Sequence, residues 1–284
     1  MKSMLILRRL NSARLWIRWP AKWLVFGAVW LVVMFPRLDR LPTTIRRHLD
    51  PNALINAESP ALEPFLAEFE TLRKDDWDDQ RLLKELERYV YRKVPYAWDW
   101  DLWGNVDYLP TVEETLEKGK EDCDGRAVVA ASVLRKYGYK VRLATDFGHM
   151  WVTTDRGDTM SPGKTIGIEF TDEGMKFNWS IVVDLPKTLA MGIAVFPLYR
   201  EAILVLAAWL LMIGRGVRVR DTLLWLALLV IGLLLIREGG HPRHPHIGKD
   251  WLGFTIWAAA LAALVVQARR VCRASTSTLP SKVE

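Results

Sequence analysis

The chain has 284 residues, half of them hydrophobic, with two cysteines and a formal net charge of +6. Residues 37–187 carry 22 Lys/Arg and 28 Asp/Glu, a net charge of −6, whereas the other residues carry 17 and 5, a net charge of +12. The basicity therefore indicates basic flanks of membrane spans beside an acidic soluble domain, and it gives no reason to expect a nucleic-acid-binding protein.

The first apolar run, Trp16–Phe35, has the length of a transmembrane helix. Arg18 and Lys22 lie near its start, where long basic side chains reach the lipid headgroups. No small-residue cleavage site follows the run, so we expect an uncleaved anchor rather than a signal peptide. The predicted organisation begins with a basic cytoplasmic tail over residues 1–15 and an anchor over residues 16–36.

The next region, residues 37–190, is expected to be an extracytoplasmic domain that opens with helices. Apolar residues recur at helical spacing over residues 62–72 and again from about Asp78 to Lys93. Thr111 and Glu114 have the spacing of a capping box, and Gly119 is typical of a helix end. The sequence thus predicts a third, short helix that starts at Thr111.

A fourth helix is expected to follow Asp122-Cys123-Asp124-Gly125, because small apolar residues continue from there to about Gly138. Alternating patterns then predict strands, each bounded by turn residues. The predicted strands are Tyr139–Thr145, Met150–Thr154, Thr165–Thr171 and Asn178–Leu185, with a turn at residues 155–158 after the second. Helices followed by an antiparallel sheet indicate the α+β class.

Cys123 and His149 are the candidate catalytic residues. A cysteine at a helix N-terminus lies beside unpaired N–H groups and the positive end of the dipole, both of which favour a thiolate. A histidine at the start of a strand is held firmly enough to act as the base. We expect Glu169, on a neighbouring antiparallel strand, to orient the imidazole, with Asp155 and Asp172 as alternatives.

The stretch from Asp107 to Asp124, which contains Thr111-Val112-Glu113-Glu114-Thr115-Leu116, Gly119 and Asp122-Cys123-Asp124, resembles the bacterial transglutaminase-like cysteine proteinases. Gly148-His149-Met150-Trp151-Val152 is similar to the histidine-bearing strand of transglutaminase-like domains. The resemblance covers about residues 75–175. It implies a papain-like fold and peptidase, amidase or transamidase activity without a redox cofactor.

Two features bear on how far the resemblance extends. The third catalytic residue of the family is usually Asp, whereas Glu169 occupies that place here. Some relatives bind calcium through acids beside the nucleophile, and Asp122 and Asp124 match them. Two carboxylates do not make a calcium site, so we expect no metal and no cofactor.

Three further apolar runs, Phe196–Gly214, Thr222–Ile236 and Trp251–Gln267, are predicted to place three transmembrane helices within residues 196–267. Basic residues of the N-terminal tail, the loop 215–220 and the tail 268–284 fall on one side if there are four spans. The positive-inside rule makes that side cytoplasmic. The predicted architecture is a papain-like transglutaminase core plus about four transmembrane helices, in a bacterial inner membrane.

These expectations predict a membrane-bound thiol hydrolase or acyltransferase that acts on a protein or peptide outside the cytoplasm through Cys123, His149 and an acid. The alternative is an inactive transglutaminase-like domain that binds a ligand or serves as the scaffold of a membrane complex. The presence of both Cys123 and His149 favours the enzyme. A transporter has little support, since the late spans lack a network of charges within the membrane.

Overall fold

The computed structural model describes residues 15–163, 166–171, 174–213, 218–246 and 248–277. The chain divides into two compact units. One unit consists of the residues up to Met34 together with those from Pro186 onward, and the other is Phe35–Leu185. Each unit is described separately below.

The helices of the chain are numbered in chain order. They are α1 Leu15–Met34, α2 Leu41–Leu49, α3 Leu62–Leu72, α4 Asp79–Lys93, α5 Asp99–Leu102, α6 Val112–Lys118, α7 Cys123–Lys136, α8 Leu185–Val195, α9 Leu198–Met212, α10 Val219–Gly239 and α11 Lys249–Ser277. Short 3-10 helices at Leu38–Arg40, Pro51–Leu54 and Trp179–Asp184 complete the helical structure.

The predicted fold class, an α+β papain-like core with about four transmembrane helices, is wrong for this chain. About 64% of the structure is helical, and the sheet is a single small antiparallel one. Among the described residues, one helix, Val219–Gly239, is long and apolar enough to cross a membrane, or up to three spans are present if each of two bent helix pairs counts as one. The apolar runs therefore predicted more spans than the described helices provide.

The other three predicted spans do not qualify on their own. The run from Trp16 folds as α1, which contains Pro20 and qualifies as a span only together with Leu38–Leu49. The run from Phe196 begins at the break between α8 and α9, and α9, which has 15 residues, qualifies only with the helical segment before it. The run from Trp251 lies within α11, which does not qualify as a span among the described residues.

The unit Phe35–Leu185 carries the five-stranded sheet. Its strands are β1 Val141–Thr145, β2 Met150–Thr154, β3 Gly157–Thr159, β4 Ile168–Thr171 and β5 Gly174–Phe177. All pairs are antiparallel, in the order β3-β2-β1-β4-β5. In the register of β1 and β2, Val141 lies opposite Thr154 and Thr145 opposite Met150.

The structure differs from the predicted strands in two places. The turn expected over residues 155–158 is shorter and leads into β3, which was missed. Residues 179–184 form a 3-10 helix instead of the last predicted strand, because the Asn178 side chain accepts the N–H of Ser180 and caps it. The preference of Ile181, Val182 and Val183 for strands is thus overridden by a local cap.

Helix α7 is the centre of the core. Every residue from Ala127 to Leu134 is fully buried, and the helix packs against β1, β2 and α4. Small side chains allow this close packing. At Gly125 the space is too small even for a methyl group. A Cβ there would lie 2.3 Å from Glu121 Cγ, 2.6 Å from Thr115 Oγ1 and 2.8 Å from Pro110 Cγ. The first turn of α7 therefore sits in a tightly packed, polar pocket.

We expect Gly125→Ala to destabilise the protein by about 1–3 kcal/mol, because the added methyl group overlaps three neighbours that have little room to move. A urea titration of the detergent-solubilised chain measures the free energy of unfolding. The matched control on the same helix is Lys136→Ala, which removes only an exposed ion pair with Glu58 and should cost less than about 1 kcal/mol. Equal effects of the two substitutions would contradict the packing argument.

Candidate active site

Cys123 is the first residue of α7. The preceding Asp122 is the N-cap, and its side chain accepts the N–H of Asp124 at 3.0 Å. This bond ties down the first turn, as an N-cap aspartate commonly does. Cys123 remains partly exposed and is not in a disulfide. The helix start thus presents a free thiol at a fixed position.

The surroundings of the sulfur oppose the thiolate. Burial raises the pKa of the Cys123 thiol well above its ordinary value, and the carboxylates of Asp124 and Asp122 raise it further. The Sγ atom lies 3.4 Å from Asp124 Oδ1. The backbone N–H of Met150 acts in the other direction by hydrogen bonding to the sulfur, which lowers the pKa. The predicted effect of the helix dipole is therefore outweighed by burial and by two neighbouring acids.

His149 precedes β2 directly, and its backbone is held on both sides. The Asp146 carboxylate accepts the N–H groups of Gly148 and His149 at 2.7 and 2.8 Å. The Thr145 hydroxyl donates to the His149 carbonyl at 2.9 Å. These bonds fix the approach to the strand and hence the point from which the imidazole projects.

The imidazole is oriented by a backbone carbonyl. Its Nε2 lies 2.8 Å from the Met160 oxygen, and the ring stacks on the fully buried Trp151 with a centroid distance of 6.2 Å and an interplanar angle of 15°. A carbonyl only accepts, so Nε2 carries the proton and Nδ1 of the neutral ring has the free lone pair. Nδ1 is therefore the atom of this ring that can take a proton.

Met160 has an uncommon backbone conformation, with φ of 61°. Positive φ is rare for residues other than glycine and is kept only where neighbours enforce it. The Glu87 carboxylate accepts the Met160 N–H at 3.0 Å, and the Met160 side chain is buried. The carbonyl that holds His149 is thus itself held in place.

Cys123 and His149 lie on elements that pack against each other. Cys123 is the first residue of α7, His149 directly precedes β2, and α7 packs against β2. The backbone N–H of Met150, the first residue of β2, lowers the pKa of the Cys123 thiol. Within the part of the chain that the structure describes, no hydrogen bond joins Sγ to the imidazole.

Glu169 does not take the predicted third position. Strand β1 lies between its strand, β4, and β2, and Glu169 Oε1 lies 4.0 Å from Arg142 Nη1. Asp155 follows the far end of β2, about 20 Å along an extended strand from His149, and accepts the Lys140 N–H. Asp172 lies outside the described residues. Among the described contacts, the partner of the imidazole is the carbonyl of Met160.

Asp122 and Asp124, which flank Cys123 in the sequence, belong to a larger cluster of five acids. The other three, which the sequence did not reveal, are Asp99, Asp107 and Glu121. Burial and the neighbouring acids raise the pKa of Asp99 and of Asp124 well above the ordinary value. Burial raises the pKa of Asp122 to about 6 and that of Glu121 to about 7. These four groups therefore hold their protons to a higher pH than ordinary carboxyl groups do.

Asp99 and Glu121 form the most deeply buried part of the acidic cluster. Asp99 Oδ2 accepts the Tyr108 N–H at 2.7 Å, and the Trp103 indole N–H donates to Glu121 Oε1 at 3.0 Å. Asp99 Oδ1 has no hydrogen-bond donor among the described residues. Burial and the charges of the surrounding acids, Glu121 among them, therefore favour the protonated form of Asp99.

The third side of the site is aromatic and basic. Arg126 stacks over Tyr91 and Tyr96 at 4.9 and 5.0 Å, and its Nε donates to the Val94 carbonyl at 2.8 Å. Both tyrosines are more than a third exposed. The Tyr96 ring also packs edge-on against Trp98. Tyr91 and Tyr96 thus border Cys123, whose charge acts on both hydroxyl groups.

Three overlapping groups of side chains have ligand atoms within 4.8 Å of one another. They are His48-Asp107-Asp124, Asp122-Cys123-Asp124 and Asp99-Glu121-Asp122. Calcium takes six to eight oxygen ligands. Each group supplies three ligand atoms, and two groups include a nitrogen or a sulfur, so the residues present do not complete a calcium shell.

No family model matches the chain, and no curated protein matches it. The transglutaminase-like resemblance therefore rests on the residues quoted above and on their arrangement.

We expect Glu169→Gln to change the rate of Cys123 alkylation by less than about twofold, because β1 separates Glu169 from the histidine strand. Asp146→Ala should change it clearly, since it removes the acceptor of two N–H groups that hold His149 and the Met150 N–H beside the sulfur. The rate of iodoacetamide labelling measures both. A strong effect of Glu169→Gln would restore the predicted triad.

Glu121 should make stability fall as pH rises. Its folded pKa of about 7 lies above the ordinary 4.5, so the folded chain keeps a proton that the unfolded chain loses between these values. The stabilisation is complete below pH 4.5 and is lost through pH 7, a change on the order of a few kcal/mol. Glu121→Gln should flatten this part of the profile of melting temperature against pH.

The control for this experiment is Glu117→Gln, which replaces an exposed acid of α6. It should leave the pH profile of the melting temperature unchanged. If Glu121→Gln instead lowers stability equally at pH 5 and pH 8, Glu121 is an ordinary ionised hydrogen-bond acceptor for Trp103.

Proposed function

We propose that the unit Phe35–Leu185 is a thiol hydrolase or acyltransferase of the transglutaminase-like class, with Cys123 as nucleophile and His149 as base. The observation that carries the proposal is the packing of β2 against α7, the helix whose first residue is Cys123. His149 directly precedes β2, so this packing brings the candidate base to the helix that bears the candidate nucleophile. Nucleophile at a helix start and base at a strand start are the two parts that acyl transfer by a thiol requires.

The chemistry follows from the ring's tautomer. Nδ1 of His149 takes the thiol proton, and the sulfur attacks a carbonyl carbon to form a C–S bond. The C–N bond then breaks, and the imidazolium returns the proton to the leaving amine. The resulting thioester is opened by water, which gives peptidase activity, or by a second amine, which gives cross-linking.

Proton transfer in this scheme requires His149 Nδ1 to come within hydrogen-bonding distance of Cys123 Sγ. Catalytic hydrogen bonds are often long before substrate binds and shorten in the complex. The raised pKa of Cys123 means that the resting thiol is protonated, so deprotonation accompanies attack instead of preceding it. The Met160 carbonyl supports the imidazolium in the role predicted for Glu169.

We place the chain in a bacterial inner membrane, with the unit Phe35–Leu185 outside the cytoplasm. One helix is long and apolar enough to span a membrane. Lys and Arg are frequent in the N-terminal tail and in residues 215–220, which fits a cytoplasmic side for both. The substrate is then a protein or peptide outside the cytoplasm.

A second candidate function is a binding or scaffold domain of a membrane complex that keeps the site without its activity. One observation favours it: the sulfur lies beside two carboxylates that oppose its ionisation, and among the described contacts it has no hydrogen bond to the imidazole. An unreactive thiol in such surroundings is a packing residue.

Alkylation by iodoacetamide on native membranes separates the two functions. An enzyme should label at Cys123 at a rate that depends on His149, because the imidazole takes the thiol proton as the sulfur attacks the reagent, and His149→Ala should lower that rate by at least tenfold. Cys123→Ala identifies the labelled residue, and His244→Ala, an exposed histidine of the other unit, is the matched control. The active protein should also release a peptide fragment or incorporate a fluorescent amine.

A binding domain gives the opposite result. Labelling would then occur only above the ordinary thiol pKa of about 8.5 and would not depend on His149. That outcome would overturn the enzyme proposal.

A further inference from the structure

A second histidine, His48, lies at the acidic cluster. His48, near the end of α2, has its Nδ1 2.9 Å from the Thr44 carbonyl and its Nε2 3.0 Å from Asp107 Oδ2. The ligand atoms of His48, Asp107 and Asp124 all lie within 4.8 Å of one another. Asp124 in turn contacts the Cys123 sulfur at 3.4 Å.

We propose that His48 is a positioning residue whose imidazolium, acting through Asp107 and Asp124, offsets the carboxylates that oppose ionisation of Cys123. This inference extends the proposed function, on which its catalytic meaning rests. His48 does not reach the substrate carbonyl in this scheme; it sets the charge next to the nucleophile.

The carboxylates near the Cys123 sulfur oppose formation of the thiolate, and a nearby cation offsets their charge. A carboxylate within 4–6 Å of a thiol makes the thiolate harder to form, and the cluster holds several. Two cations face the cluster among the described residues: His48 on the Asp107 side and Arg126 on the tyrosine side. Arg126 already stacks on two tyrosines, which leaves His48 as the partner of Asp107 and Asp124.

The contacts of His48 fix its protonation. The Thr44 and Asp107 oxygens both accept, so each ring nitrogen has an acceptor and the doubly protonated ring satisfies both. Burial lowers the pKa of His48, but the hydrogen bond and charge of Asp107 outweigh it, with Thr44 and Asp124 contributing, and raise the pKa to about 9. His48 is therefore a cation at neutral pH and loses its charge as pH rises through about 9.

Other groups also act on the sulfur, and the test must hold them constant. The titratable and charged groups that face His48 or Cys123 are Asp99, Asp107, Glu121, Asp122, Asp124, Arg126, Tyr91, Tyr96 and His149. Arg47, next to His48, forms an ion pair with Glu114 at 2.7 Å, and Glu114 is part of the capping box of α6.

The experiment compares opposite charge changes within the cluster. In the full chain on membranes, the rate of Cys123 alkylation by iodoacetamide is measured from pH 6 to pH 10. His48→Asn should slow labelling about tenfold at pH 7.5, which corresponds to a rise of one unit in the thiol pKa. Asp122→Asn should accelerate labelling, because it removes a carboxylate that opposes the thiolate, leaves the His48–Asp107 pair in place and keeps an N-cap residue on α7. The double variant should fall between the two.

The pH profile distinguishes a charge effect from a structural one. The difference between the wild type and His48→Asn should shrink as pH rises through about 9, where His48 loses its proton. A merely structural role predicts that both single variants disturb the site in the same direction at all pH values, and this outcome would overturn the proposal. Asp101→Asn, an exposed acid of α5, is the matched control and should have no effect.

The two proposals fail separately. If the labelling rate does not depend on His149 but changes in opposite directions in His48→Asn and Asp122→Asn, the enzyme proposal is refuted and the charge role of His48 is kept. If the rate depends on His149 but changes in the same direction in both of these variants, the charge role alone is refuted. Melting temperatures of the variants, measured by tryptophan fluorescence, identify any that fail to fold.

Discussion

The burial of helix α7 is the constraint on which the rest of the unit Phe35–Leu185 depends. A helix whose residues 127–134 are completely enclosed must be made of small apolar side chains. Its N-terminus must also find partners for its unpaired N–H groups within the protein, and the Asp122 cap supplies one. The nucleophile is therefore placed by packing, because any shift of α7 would disturb both its close contacts and its cap.

The same burial creates the electrostatic problem of the site. Carboxyl groups that approach the first turn of α7 leave water and approach one another, which raises their pKa values and that of the thiol. Two cations act against this cost: Arg126, whose charge lowers the pKa of Asp122, and His48, which pairs with Asp107. The pKa of the Cys123 thiol accordingly depends on the charges of the whole cluster.

The His149 imidazole is oriented by a backbone carbonyl, that of Met160, instead of by a side-chain acid. A side-chain acid is the usual partner of a catalytic histidine, but a backbone carbonyl accepts the same hydrogen bond without adding a negative charge. In a site that already holds several carboxylates, a neutral acceptor avoids further repulsion. The unusual φ of Met160 is the local strain through which the carbonyl reaches the ring, and the Glu87 side chain helps to hold it.

Local chemistry in the sequence was sufficient for several elements. The capping box at Thr111, the left-handed Gly119 and the strand Met150–Thr154 depend on contacts within a few residues, and the structure has each of them. Cys123 at a helix start and His149 before a strand could be read in the same way. The fold class and the span count were wrong, because a run of apolar residues does not reveal the breaks and bends that divide it into separate helices.

Only the tertiary structure decided what surrounds the two candidate catalytic residues. The strand order put β1 between Glu169 and the histidine, and strand order depends on pairing between distant segments. His48 and Asp107 are 59 positions apart in the sequence, and no local pattern marks them as partners. A sequence specifies which groups are available, whereas the charge and hydrogen bonding at a buried site depend on which of them packing brings together.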